Sequence, residues 1–178
     1  QPVLVRTISS RCTMFDEIAK KLDLASSKVK PYRGFILLCG GRVEESLQGP
    51  LASIRDIINR ELSVDRKLTD RIRLAENYKD WPHDATYRDL VVFESHLAEL
   101  SSVIVLVLES PGSLAELGLF TAIPQFTKKL LVFIETDHYR ADSFIKHGPI
   151  NYLEKTHQNS AECHRWAAAH SQRQSFNP

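Results

Sequence analysis

The 178-residue chain is 43% hydrophobic and 25% charged, a balance that excludes a disordered chain and suits one domain with a real core. A formal net charge of +1 excludes a general electrostatic drive toward nucleic acid, so any such contact is local. Three cysteines, Cys12, Cys39 and Cys163, are odd in number and lack CxxC spacing, which argues against a disulfide framework or a zinc ribbon and for a reducing cytoplasm.

In chain order, residues 1–32 contain "MFDEIAKKLDL", where Met14, Phe15, Ile18 and Leu22 share one helical face, and predict a helical extension. "GFILLCGG", Gly34 to Gly41, predicts a buried parallel strand and its turn. After Gly49-Pro50 a helix is expected with Pro50 at its first position and Leu51, Ile54, Ile58 and Leu62 on one stripe. Ile72 and Leu74 alternate with arginines as in a strand with one wet face. Tyr87 to Leu100 predicts a helix with Leu90, Phe93, Leu97 and Leu100 aligned, followed by a strand from Val103 to Leu108, a helix from about Ser113 and the strand "KLLVFI" ending at Ile134. The run from Val103 to Leu108 is far too short to span a membrane, and no signal-peptide core precedes it. Alternating strands and helices predict a doubly wound parallel α/β sheet, with a polar tail closing the chain.

Ligands of such sheets bind beyond the carboxyl ends of the strands, where this chain delivers Cys39-Gly40-Gly41, Glu76-Asn77-Tyr78, Glu109 to Ser113, and Glu135 to His138. Gly40-Gly41 would let a ligand approach the backbone or would simply make a tight turn, and neither GxGxxG nor a Walker loop is present. Ser113-Leu114-Ala115-Glu116 matches the S-x-x-E capping box, in which Glu116 would tie off its own helix. The same carboxylate, in a first helical turn after a buried strand, would be kept ionised by the helix dipole and backbone donors, as a nucleophile at a sugar carbon requires. Glu76, Glu94 and Glu109 are companion carboxylates or plain solvated charges, with Glu94 on the wet face of its helix. Arg55 is a salt-bridge partner or a phosphate clamp. His157, Cys163, His164 and His170 lack metal-ligand spacing, so no metal is expected, and G-x-S-x-G is absent around Ser110 and Ser113.

"LLCGG", "FESHLAELSSVIVLVLESPGSLAELGLF" and "SFIKHGPINYLEK" resemble, in order and spacing, the nucleoside 2-deoxyribosyltransferase-like effectors of bacterial retron anti-phage systems, over roughly Phe35 to Lys155. "ESPGS-x-x-ELG" is the specific part. The resemblance implies a flavodoxin-like, Rossmann-like sheet over 33–156, flanked by the extension at 1–32 and a helical or frayed tail at 157–178. It implies hydrolysis of NAD or a related nucleotide at its N-glycosidic bond, with Glu116 as nucleophile and no cofactor beyond that substrate. Gly40, Gly41, Glu109, Ser110, Gly112 and Ser113 would line the pocket, with Arg55, Glu76 and Glu94 in comparable places. The implied partners are the nucleotide, a retron reverse transcriptase with its RNA-linked DNA, and further copies of the chain. Relatives often continue into a helical or winged-helix region beyond the position of Pro178, and the loop around Trp81 departs from their pattern. The alternatives are a base-transferring deoxyribosyltransferase and a non-catalytic nucleotide sensor on the same fold.

Overall fold

A computed structural model describes residues 33–44, 46, 49–78, 89–158 and 160–166. The chain divides into two compact units, Gln1–Tyr32 and Arg33–Pro178, and all described residues belong to the second. The helix expected around Met14 to Leu22 and the loop around Trp81 lie outside the described residues.

Five strands form one parallel sheet in the order β2-β1-β3-β4-β5. They are β1 (Ile36–Cys39), β2 (Ile72–Arg73), β3 (Val103–Val107), β4 (Leu130–Glu135) and β5 (Ala161–His164). Parallel strands need crossovers, and helices supply them: α1 (Ile54–Val64), α2 (Arg66–Thr69), α3 (Leu90–Leu100), α4 (Pro111–Ala122), α5 (Pro124–Thr127), α6 (Thr136–Arg140) and α7 (Asn151–Thr156). A π-helical stretch, Lys146–Ile150, leads into α7. The result is a mixed α/β, Rossmann-like layout.

Alternation along the strands sorts the core into two faces. Leu37 and Cys39 of β1, Ile104 and Leu106 of β3, and Val132 and Ile134 of β4 face one layer, where Phe93, Leu97, Leu117 and Phe120 from α3 and α4 pack with Ile150 and Leu153. Leu38, Ile72 and Val105 face the other, against Ile58 and Leu62 of α1. Burying each such aliphatic side chain stabilises the fold by about 1.5–3 kcal/mol.

Three expectations are corrected and one is met. Helix α1 starts at Ile54, because the Ser53 side chain caps it by accepting from the Asp56 amide, so Pro50 and the exposed Leu51 stay in the preceding loop. In α3, Leu90 and Leu100 are exposed, and Ala98 joins Phe93 and Leu97 on the buried face. The strand expected at Ile72 and Leu74 is present as the two-residue edge strand β2, with Ile72 and Leu74 both buried and Arg73 between them partly exposed. Within the segment read as a helical or frayed tail, Ala161–His164 pairs with β4 over four residues. That strand is mostly exposed and held by backbone hydrogen bonds, so no apolar run announces it.

Candidate active site at the β1–β3 crevice

Strand order reverses direction between β1 and β3, and in open parallel sheets the crevice beyond such a switch point is where ligands sit. The carboxyl end of β1 delivers Cys39-Gly40-Gly41 there, and that of β3 delivers Glu109 and the start of α4. Glu76 arrives on the 3-10 turn Ala75–Tyr78 after β2, and Glu94 on α3.

Helix α4 is capped by Ser110. The Ser110 hydroxyl accepts from the Ser113 amide at 3.1 Å, and the Ser113 hydroxyl accepts from the Ser110 amide at 3.1 Å. This reciprocal box, with Pro111 at the first helical position, corrects the box expected from Ser113 to Glu116. Glu116 therefore lies in the second turn, past the reach of the helix terminus, and takes no part in capping.

Glu116 is half-buried, and its Oε2 is fully buried without a hydrogen-bond partner among the described residues. Burial is the main cause of a pKa pushed up to about 8, Glu94 adds to it, and Arg55 opposes it. The expectation that helix dipole and backbone donors keep this group ionised is thus reversed: at neutral pH the unliganded site holds Glu116 mostly protonated. Glu94 is not on a wet face. It too is raised, first by burial and then by Glu76, with Arg55 lowering it. Charge on Glu94 makes the loss of the Glu116 proton harder. Below them the Cys39 thiol is pushed up by burial and by Glu116.

Arg55 is the cation of this cluster, 5% exposed at the first turn of α1. Its Nε and one terminal nitrogen donate to the Leu38 carbonyl at 3.0 and 2.6 Å, and the other donates to the Gly41 carbonyl at 3.0 Å. Both terminal nitrogens also reach Glu76, at 2.8 Å each, in a two-point fork. These contacts occupy all five guanidinium donors. Arg55 is therefore the salt-bridge partner of the two readings, and its influence on the site is its charge.

Glu109 is a fastening. Its Oε1 accepts from the amides of Gly41 at 3.0 Å and Arg55 at 2.9 Å, and its Oε2 accepts from Ile54 at 2.8 Å. One carboxylate thus joins the end of β3, the β1 turn and the N-terminus of α1. The glycine pair follows from this packing. Gly40 has φ +143°, and a Cβ there would meet the Val107 carbonyl at 2.9 Å; at Gly41 it would meet the Glu109 Oε1 at 2.8 Å. Gly112 differs, because a Cβ there would meet only the Ser110 hydroxyl, at 3.8 Å.

A cavity of about 650 Å³ opens beside this cluster, beyond β3 and β4. Leu108, Glu109, Ser110 and Leu114 form its near wall, and Ile134, Glu135, Ile145 and Trp166 its far side. Two residues apart on a helix is about 200°, so Leu114 and Glu116 lie on opposite sides of α4. Glu116 is not among the lining residues. The acidic cluster and the cavity are neighbouring sites on one rim, separated by α4 and Glu109.

The residues 51–175 match the model of a family described as STM3845 retron effector protein. The chain belongs to this retron effector family. The effector is 38% identical over 156 residues to the Escherichia coli "Retron Ec86 putative ribosyltransferase/DNA-binding protein", covering 82% of this chain and 47% of that one. It is 32% identical over 139 residues to the Escherichia coli "Retron Ec73 putative ribosyltransferase/DNA-binding protein", covering 71% of this chain and 40% of the relative. The effector thus spans less than half the length of either relative. Its family match contains Arg55, Glu76, Glu94, Glu109 and Glu116, while Gly40 and Gly41 precede it. Among its described residues no helix is long and apolar enough to cross a membrane, and no group of His, Cys, Asp or Glu side chains is arranged to hold a metal ion. Of the histidines and cysteine considered for a metal, His157 contacts the Thr127 hydroxyl, His164 stacks on Phe133, Cys163 approaches Thr136, and His170 lies outside the described residues.

Proposed function

We propose that this retron effector cleaves an N-glycosidic bond of NAD or a related nucleotide, with Glu116 as the nucleophile. The observation that carries this reading is the buried Glu116 Oε2 at the switch point, without a hydrogen-bond partner among the described residues, beside Glu94 and in the field of Arg55 and Glu76. A group that burial and a neighbouring charge displace this far, in a crevice, is what a catalytic carboxyl looks like.

The charge balance favours a cationic linkage. Among the described residues Glu76, Glu94 and Glu116 face a single cation, Arg55, so an N-ribosyl pyridinium adds positive charge to an acidic crevice. Its arrival also favours ionised Glu116, converting a mostly protonated acid into a nucleophile. The carboxylate oxygen then bonds to the anomeric carbon as the carbon–nitrogen bond breaks, and the bonding pair neutralises the leaving pyridine. Water next attacks the same carbon, giving its proton to Glu94, and Glu116 departs as the carboxylate.

Incubating the purified protein with NAD, nucleosides and nucleotides, followed by chromatography of released bases, tests the reading. Free nicotinamide is expected from NAD and none from the Glu116→Gln variant, whose fold should persist. Unchanged turnover in that variant removes Glu116 from the mechanism. Adding a free acceptor base separates hydrolysis from base transfer, the chemistry that the relatives' ribosyltransferase names suggest. Ligand-dependent melting without base release would instead favour the sensor.

A further inference from the structure

Tyr78 takes no part in the chemistry assigned above, yet two neighbours hold it at the same crevice. Along the chain it ends the 3-10 turn Ala75–Tyr78, two residues after Glu76, whose carboxylate forks onto Arg55. Across space its ring meets that of Phe93, with centroids 6.0 Å apart and planes inclined by 68°. Phe93 directly precedes Glu94 near the start of α3. That start lies at the carboxyl end of the sheet, because α3 leads from β2 back to β3 and both strands run parallel to β1. Glu94 in turn feels the charges of Arg55 and Glu76, and Glu116 feels that of Glu94. The two rings differ in cover: Phe93 is 6% exposed and belongs to the core, whereas Tyr78 is 39% exposed. An edge contact orients a ring while covering only one side of it. The other exposed Phe and Tyr side chains among the described residues, Phe144 and Tyr152, lie in the segment that leads into and forms α7.

We propose that Tyr78 is a specificity residue that selects a cationic base, by stacking its ring on the pyridinium of the substrate. The face of an aromatic ring carries the negative part of its quadrupole, so it attracts a flat cation more than a flat neutral ring of the same size. Carboxylates at the neighbouring positions 76 and 94 add to that preference. The positive charge disappears as the carbon–nitrogen bond breaks, so the ring holds the substrate more tightly than the departing neutral base and does not retain the product. The identity of the stacked base rests on the proposed cleavage at Glu116, whereas the preference for a cation is a property of binding and needs no bond to break.

Two ligands isolate that preference in titration calorimetry on the full chain. Carbocyclic NAD keeps the pyridinium but has a methylene in place of the ribose ring oxygen, so it is not cleaved, and NADH carries a neutral dihydropyridine. Wild type should bind the carbocyclic cation about tenfold more tightly than NADH. Tyr78→Leu and Tyr78→Gln should each lower that ratio by about fivefold or more, mainly through weaker binding of the cation, and Tyr78→Phe should keep it within about twofold. In turnover both ring-less variants should raise KM for NAD more than they lower kcat. Equal affinity of wild type for the two ligands, or a ratio that survives both ring-less variants, overturns the assignment. So does Tyr78→Phe behaving like Tyr78→Leu, which puts the effect in the hydroxyl, and so does loss of both ligands in both variants, which makes Tyr78 a structural residue. Undiminished hydrolysis by Glu116→Gln alongside a ratio that collapses in the Tyr78 variants defeats the nucleophile and upholds the selector, so the two claims fail separately.

Discussion

Replacing Glu116 by Gln should stabilise the protein in a pH-dependent way. At pH 5 the native carboxyl is protonated, so an isosteric neutral amide changes little. A carboxyl whose folded pKa stands above its unfolded value binds its proton more tightly in the native state, and stability falls as pH rises from the unfolded value toward the folded one. Here that window runs from 4.5 to about 8. At ~1.4 kcal/mol for each pH unit, the ceiling on the loss is ~5 kcal/mol. Solvent at the exposed part of this half-buried side chain screens the effect, and about 2–3 kcal/mol is the expected size. Urea unfolding of both proteins at pH 5, 7 and 9 measures the difference, and other titrating groups largely cancel in the comparison. The variant should match wild type at pH 5 and exceed it by about 2–3 kcal/mol at pH 9, while losing turnover. A stability difference that stays flat across this range would refute the claim that burial and Glu94 hold a proton on Glu116.

Other substitutions separate structural from chemical roles. Ser110→Ala should cost about 1 kcal/mol through the lost α4 cap, seen as a lower melting temperature. Glu109→Gln should destabilise by about 2–3 kcal/mol in urea unfolding, because the charge that three backbone amides share is gone and one amide meets a donor. Arg55→Lys should cost about 3 kcal/mol or more, since an ammonium cannot reproduce five forked donors to Leu38, Gly41 and Glu76. Gly41→Ala should lower the melting temperature, and its cost should shrink in a Glu109→Ala background, because the added Cβ collides with the Glu109 side chain that this second substitution removes.

The strands most visible in the sequence are those whose burial writes an apolar run, Ile36–Cys39 and Val103–Val107. Strand β5 escaped because Glu162, Cys163 and His164 are exposed and contribute only their backbones. Around α4 two serines three residues apart each fit a cap, and Pro111 directly after Ser110 was the signal that selects the first. The work of Glu109 is not legible locally, since its amide partners lie 54, 55 and 68 residues away. The fork between Arg55 and Glu76 spans 21 residues for the same reason. Glu116 was singled out by its motif, but its protonation depends on burial and then on Glu94, a neighbour on another helix, both of which only the fold supplies.

The Glu109 fastening has a consequence for how this rim can change. Its three partners are main-chain groups, which every residue except proline offers, so positions 54 and 55 are free of any side-chain demand from the clasp itself. Drift in the connecting segments can thus proceed while the mouth of the sheet keeps its shape, provided position 109 stays acidic and position 41 stays bare.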